Sequence, residues 1–145
     1  FWRRTTTYPT FAIFDAPTRE TCTVDRPRTN TPLQALVTLN DPTFVEAARV
    51  FGERILRSAA TTPEEKLTFA FRTALSRAPD DHEKQILLDL YRKESEKFTT
   101  HHEAASELVK HGEYRVPDDL DVVQLATWTA LTNVVLNLDE MITRE

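Results

Sequence analysis

The sequence predicts an all-α fold, a five- or six-helix bundle preceded by a long N-terminal loop rich in Pro, Arg and Thr. Three observations carry that expectation. Only two glycines occur in 145 residues, Gly52 and Gly112, too few for many short strands and tight hairpins. From residue 42 onward apolar side chains recur at three- and four-residue intervals. Most of these stretches open on a Pro- or Asp-marked helix start.

Residues 1–31 read as a lead-in segment and a long loop. Thr5-Thr6-Thr7, Pro9, Pro17 and Pro27 interrupt any helical rhythm, and Phe11, Ile13 and Phe14 are placed to anchor the loop on the helices. Thr31-Pro32-Leu33-Gln34 is a capping box with Pro at the first helical position and starts a short helix to about Leu39. Asp41-Pro42 caps the next, spanning about 42–60, with Phe44, Ala48, Phe51, Ile55 and Ala59 on one stripe. Thr62-Pro63-Glu64-Glu65 repeats the capping pattern for a helix to about Arg77 that turns Leu67, Ala70, Phe71, Ala74 and Leu75 inward.

Asp80-Asp81-His82-Glu83 starts a fourth helix, to about Thr99, expected to bury Ile86, Leu87, Leu90, Tyr91 and Phe98. A weaker amphipathic helix over about 101–111 ends at Gly112, a candidate left-handed C′ residue. The last helix, capped by Asp118 or Asp119 and running to about Leu138, is apolar at nearly every angle. That marks it as the central one. The expectation is therefore a single helical domain over 1–145, with 1–31 as loop and 32–145 as core. The start at Phe1 suggests a fragment of a larger parent.

The net charge of −5 and the pI near 5.4 argue against nucleic acid as a partner, because phosphate-backbone binding needs clustered positive charge. No run approaches the ~18 apolar residues of a membrane span. Cys22 is alone, so no intrachain disulfide forms, and neither a haem-attachment nor a zinc-knuckle motif is present.

Four groups of residues are candidates for chemistry. Arg19, Arg26, Arg28 and Asn30, beside the start of the helix at Pro32, have the composition of an anion or ligand site. The competing reading pairs those arginines with Asp15, Glu20 and Asp25, which would only tie the loop down. Cys22 has Arg19 and Arg26 nearby to lower its pKa but no histidine near in sequence, so a plain loop cysteine competes with a nucleophile. His82, His101, His102 and His111 lack the i, i+4 spacing of a metal site and read as solvated, so no metal is expected. Asn133, Asn137, Asp139 and Glu140 close the central helix. They form either an acid/base pair at a pocket or amides that fix the long loop by hydrogen bonds.

Several of these motifs occur together in a recognisable order. They are Phe14-Asp15-Ala16-Pro17-Thr18-Arg19-Glu20-Thr21-Cys22-Thr23, Arg28-Thr29-Asn30-Thr31-Pro32-Leu33-Gln34-Ala35-Leu36, Leu39-Asn40-Asp41-Pro42, Ala74-Leu75-Ser76-Arg77-Ala78-Pro79-Asp80-Asp81-His82-Glu83 and Leu136-Asn137-Leu138-Asp139-Glu140. Over essentially the whole chain they resemble the planctomycete-type domain of unknown function 1553, in its C-terminal portion. The resemblance implies a large exported parent, periplasmic or at the cell surface, that often carries a cytochrome-c-like domain. Haem would then belong elsewhere in the parent, with no cofactor in this fragment. It brings no catalytic residue. Two functions follow as expectations. One is a structural or interaction module whose partners are the remainder of the parent chain and polysaccharide. The other is part of an enzyme completed by upstream residues, with Arg19, Arg26, Arg28, Asn30 and Asp139 contributing.

Overall fold

The computed structural model describes residues 9–17, 22–25, 29 and 31–142. Among these the chain is helical with no strand, in eight helices. They are α1 (Pro9–Ile13), α2 (Pro32–Asn40), α3 (Pro42–Leu56), α4 (Pro63–Leu75), α5 (Asp81–Thr100), α6 (His102–Val109), α7 (Val122–Leu136) and α8 (Asp139–Ile142). Six of them match the expected bundle. The two short ones, α1 and α8, were not expected, because five or four residues are too few to display an apolar period.

The capping grammar is met in atomic detail. Thr31 Oγ1 accepts from Gln34 N while the Gln34 side chain accepts from Thr31 N. Thr62 with Glu65 and Asp80 with Glu83 repeat this reciprocal pairing. Asp41 accepts from Thr43 N and starts α3 at Pro42. The last main helix corrects the expectation: its cap is Asp121, accepting from Gln124 N at 2.8 Å, and not Asp118 or Asp119. Only Asp121 stands directly before the first helical residue, where its carboxylate can reach the free N–H groups.

Four helix ends come earlier than the apolar pattern suggests, among them that of α7, at Leu136 and not Leu138. At α3, Ser58 donates its hydroxyl to Ile55 O at 2.6 Å and closes the last turn. At α4, Ser76 takes a left-handed conformation (φ 60°), a position usually given to Gly. At α6 the helix stops at Val109, so Gly112, with φ 97°, lies beyond the C′ position assigned to it. A Cβ there would fall 1.7 Å from Glu46 Oε2, so both conformation and space require glycine.

Helix α7 is the centre. It packs most extensively on α3, then on α5 and α6, with further contacts to α2, α4 and α8. One cluster joins Ile55, Leu67, Phe71, Leu87, Trp128, Leu131 and Val135, and a second joins Phe98, Ala105, Val109, Val123, Leu125 and Ala126. Each large side chain so buried contributes ~1.5–3 kcal/mol before its entropy cost. The core also takes in Thr127, Thr129 and Thr132 of α7, each fully buried. Their hydroxyls donate to the carbonyls of Val123, Leu125 and Trp128 one turn back, which makes burial of a polar side chain affordable. Gly52 lets α3 approach this helix: a Cβ on it would meet Thr129 N and the Trp128 carbonyl carbon, each at 3.2 Å.

Two positions expected inside are not. Ile86 is 52% exposed, because α5 faces α7 through Leu87 and Tyr91, and Ile86 lies about 100° round the helix from Leu87. Ala59, placed on the apolar stripe of the second helix, is exposed because α3 ends at Leu56, before that stripe is complete.

Candidate functional site

The loop site proposed from sequence cannot be assembled from the structure: Arg19, Arg26, Arg28 and Asn30 lie outside the described residues, as does Glu20. What is described beside them is a network on the start of α2. Asp15, at φ 56°, accepts from Thr29 N at 2.8 Å and from Thr29 Oγ1 at 2.6 Å. Gln34 is buried, and its Nε2 donates to Ile13 O at 2.8 Å and to Thr29 Oγ1 at 3.2 Å. One amide thus completes the cap of α2 and ties down both flanks of the loop. Phe14 adds a tilted ring contact with Phe44, centroids 6.3 Å apart.

At the other end of α2 the two asparagines act as amide tethers. Asn133 Nδ2 donates to Leu39 O at 3.1 Å, and Thr38 Oγ1 donates to Asn137 Oδ1. They therefore fix the C-terminal turn of α2, a helix, where the sequence suggested the long loop.

The Ser76-Arg77 to Glu83 motif meets the C-terminal motif at one guanidinium. Arg77 Nη1 and Nη2 donate to Glu83 Oε2 and Oε1 at 2.7 and 2.6 Å, a two-pronged pairing, and Arg77 Nε reaches Glu140 Oε2 at 3.0 Å. The guanidinium lies 5.3 Å from the Phe71 ring centroid. Hydrogen bonds from Arg77 hold the Glu83 carboxyl down at about 2, helped by Asp80 N–H, and hold Glu140 below the usual carboxylate range. Both carboxylates in turn raise the pKa of Arg77. These groups are locked as ions and clamp α4, α5 and α8 together.

The remaining candidates stay dispersed. Cys22 is exposed, as are His82, His101, His102 and His111. No group of metal-ligating side chains forms among the described residues. Asp139 is exposed in the first turn of α8.

One concave feature was not foreseen. Between the C-terminal half of α3 and the segment joining α6 to α7 run two adjoining depressions of ≈ 580 and ≈ 330 Å³ that share Glu53, Arg57 and Tyr114. Arg57 bridges Glu53 Oε1 at 3.0 Å and Asp119 Oδ1 at 2.8 Å, and the Asp119 contact raises its pKa. Close by, Arg49 is fully buried with no carboxylate partner among the described residues. Its Nη2 donates to Tyr114 O at 2.7 Å, and its guanidinium carbon lies 5.7 Å from the Tyr114 ring centroid. The sequence held one signal for this residue. Val45, Arg49 and Gly52 share a helix face, and a charge on a face otherwise turned inward marks a buried cation.

The family model described as PSD1, protein of unknown function (DUF1553), matches residues 1–91. The chain belongs to that family. The DUF1553 match takes in α1 to α4 and the first half of α5, so Gln34, Arg77 and Glu83 lie inside it. Asn137 and Glu140, which answer them from the C-terminal motif, lie beyond it. The family description names no activity, and neither a curated protein nor a solved structure matches the chain. No helix among the described residues is long and apolar enough to cross a membrane.

Proposed function

We propose that this DUF1553 region is a helical scaffold and interaction module of a larger exported protein, periplasmic or cell-surface, that handles polysaccharide. The observation that carries the reading is how the family-motif side chains are used. Gln34 caps α2 and holds the loop, Arg77 clamps Glu83 and Glu140, and Asn137 receives Thr38. Catalytic acids and bases need to face a substrate with a pKa near the working pH. Glu83, held at about 2, and Glu140, held low by the same arginine, are poorly suited to that task.

An edge suited to a partner supports the same reading. Leu33, Leu36 and Leu39 of α2 are exposed, with Phe11 of α1 also exposed. A cluster of exposed apolar side chains favours packing against another part of a larger protein. The test is a turnover screen of the parent protein on plain and sulfated polysaccharides, repeated for Arg28→Ala and Asp139→Asn. The module reading expects any activity to survive both. Turnover abolished by either variant at unchanged thermal stability would replace the module by an enzyme whose site this region completes.

A further inference from the structure

Helix α2 is built inside out. Its two buried residues are polar, Gln34 at 1% exposure and Thr38 at 8%, and they lie four apart on one stripe. Leu36 stands about 180° round the helix from that stripe, with Leu33 and Leu39 about 120° to either side. These leucines are 58%, 52% and 38% exposed. The hydrophobic effect alone would turn such a helix over. Polar tethers hold it as it is: Gln34 Nε2 donates to Ile13 O, Thr38 Oγ1 to Asn137 Oδ1, and Asn133 Nδ2 to Leu39 O. The fold thus fixes three leucines outward on a helix that carries no charged residue from Pro32 to Asn40.

We propose that this leucine ridge is the docking face for an uncharged, apolar helix from elsewhere in the same polypeptide. The proposal rests on the interaction-module reading and deepens it, by giving the partner a chemistry and a place. The lack of charge selects the chemistry, because a charged side chain laid on the ridge would lose water and find no counter-ion on α2. The shape selects a helix: Leu33, Leu36 and Leu39 form one ridge of three-residue spacing, which seats in the groove of another helix. Area selects the source. The exposed parts amount to about one and a half leucine side chains, roughly 150–200 Å². A partner arriving from solution needs about 800 Å² on each side. A tethered segment needs far less, because linkage supplies an effective concentration in the millimolar range.

The experiment uses the full parent protein in a Cys22→Ser background. Leu36→Cys and Arg92→Cys are compared for maleimide labelling, read by mass spectrometry on the peptide that carries each. Arg92 on α5 is the solvent-facing control, its side chain 69% exposed. The thiol at position 36 should label at least tenfold more slowly than the one at position 92. Adding Leu33→Lys to Leu36→Cys should bring the two rates together, with helical circular dichroism unchanged. A benzophenone amino acid in place of Leu36 should capture peptides outside residues 1–145 at the molar mass of one copy. Equal labelling at the two positions overturns the proposal. So do cross-links confined to residues 1–145, cross-links at the mass of two copies, or capture of a separate protein. Each of those results leaves the scaffold reading standing, since that reading rests on the clamps at Gln34 and Arg77. Turnover lost in Asp139→Asn would overturn the scaffold reading and leave the docking face in place.

Discussion

Arg77→Met separates the ionic part of the α4–α5–α8 clamp from its packing, because Met keeps an apolar stem over Phe71 and removes the guanidinium. The drop of the Glu83 carboxyl from an ordinary 4.5 to about 2, taken whole, corresponds to ~3 kcal/mol. The Arg77 side chain is 37% exposed and that of Glu83 26%, so solvent screens the pair and the expected share is about 1 kcal/mol. Losing the guanidinium over Phe71 adds about 0.5 kcal/mol. The variant should therefore be roughly 1–2 kcal/mol less stable near pH 7, a fall in Tm of about 3–6 °C.

The sign with pH follows from the direction of the change. A carboxyl whose pKa is lowered by folding contributes fully above its unfolded value, here 4.5. That contribution fades as pH falls towards 2, where Glu83 is protonated in both states. The gap between wild type and Arg77→Met should narrow through this window, and narrow at pH 7 in high salt. Urea denaturation followed by circular dichroism at pH 7, 5, 4, 3 and 2.5 measures it. A gap of equal size at pH 7 and pH 2.5 would refute the ionic account and assign the effect to lost packing.

Three further outcomes are expected. Gly52→Leu places a side chain against the backbone of Thr129 and Trp128 and should cost about 3 kcal/mol by chemical denaturation; a stability equal to wild type would mean that α3 and α7 can move apart freely. Gln34→Leu removes half of a capping box and the tether to Ile13 O, with an expected loss of about 1–2 kcal/mol. Hydrogen exchange should rise in α2 and leave α7 unchanged, and uniform exchange across both would contradict a local role. Leu131→Asp buries a charge at a fully enclosed position of the central helix and should abolish the cooperative melt; a normal melting curve would undo the assignment of α7 as the core.

Helix starts were readable because a cap is a local device. Thr31, Asp41, Thr62 and Asp80 each act on an N–H two or three residues away, so the necessary partner is already in the string of residues. Helix ends were read less well. Ser76 is left-handed without being glycine, and nothing in its neighbours announces that. Ile86 was misplaced because an apolar side chain on a helix shows only that some face is buried, while the neighbour that packs there fixes which one. The loop arginines and Asn30 were the most visible candidates in sequence, and they lie outside the described residues.

The candidate groove shows the limit most clearly. Glu53, Arg57 and Arg49 share one helix and could be grouped by eye, but Tyr114 and Asp119 join them from more than fifty residues away. The sequence by itself determined that the chain is helical, where α2 to α5 begin, and that the last long helix is the core. Those properties follow from spacing and from contacts within one turn. Only the tertiary structure decided that Gln34 and Asn137 are tethers, that Arg77 joins two distant motifs, and that Arg57 ties Glu53 to Asp119. Each of these depends on which helices meet, and helix packing is set by the fit of whole faces.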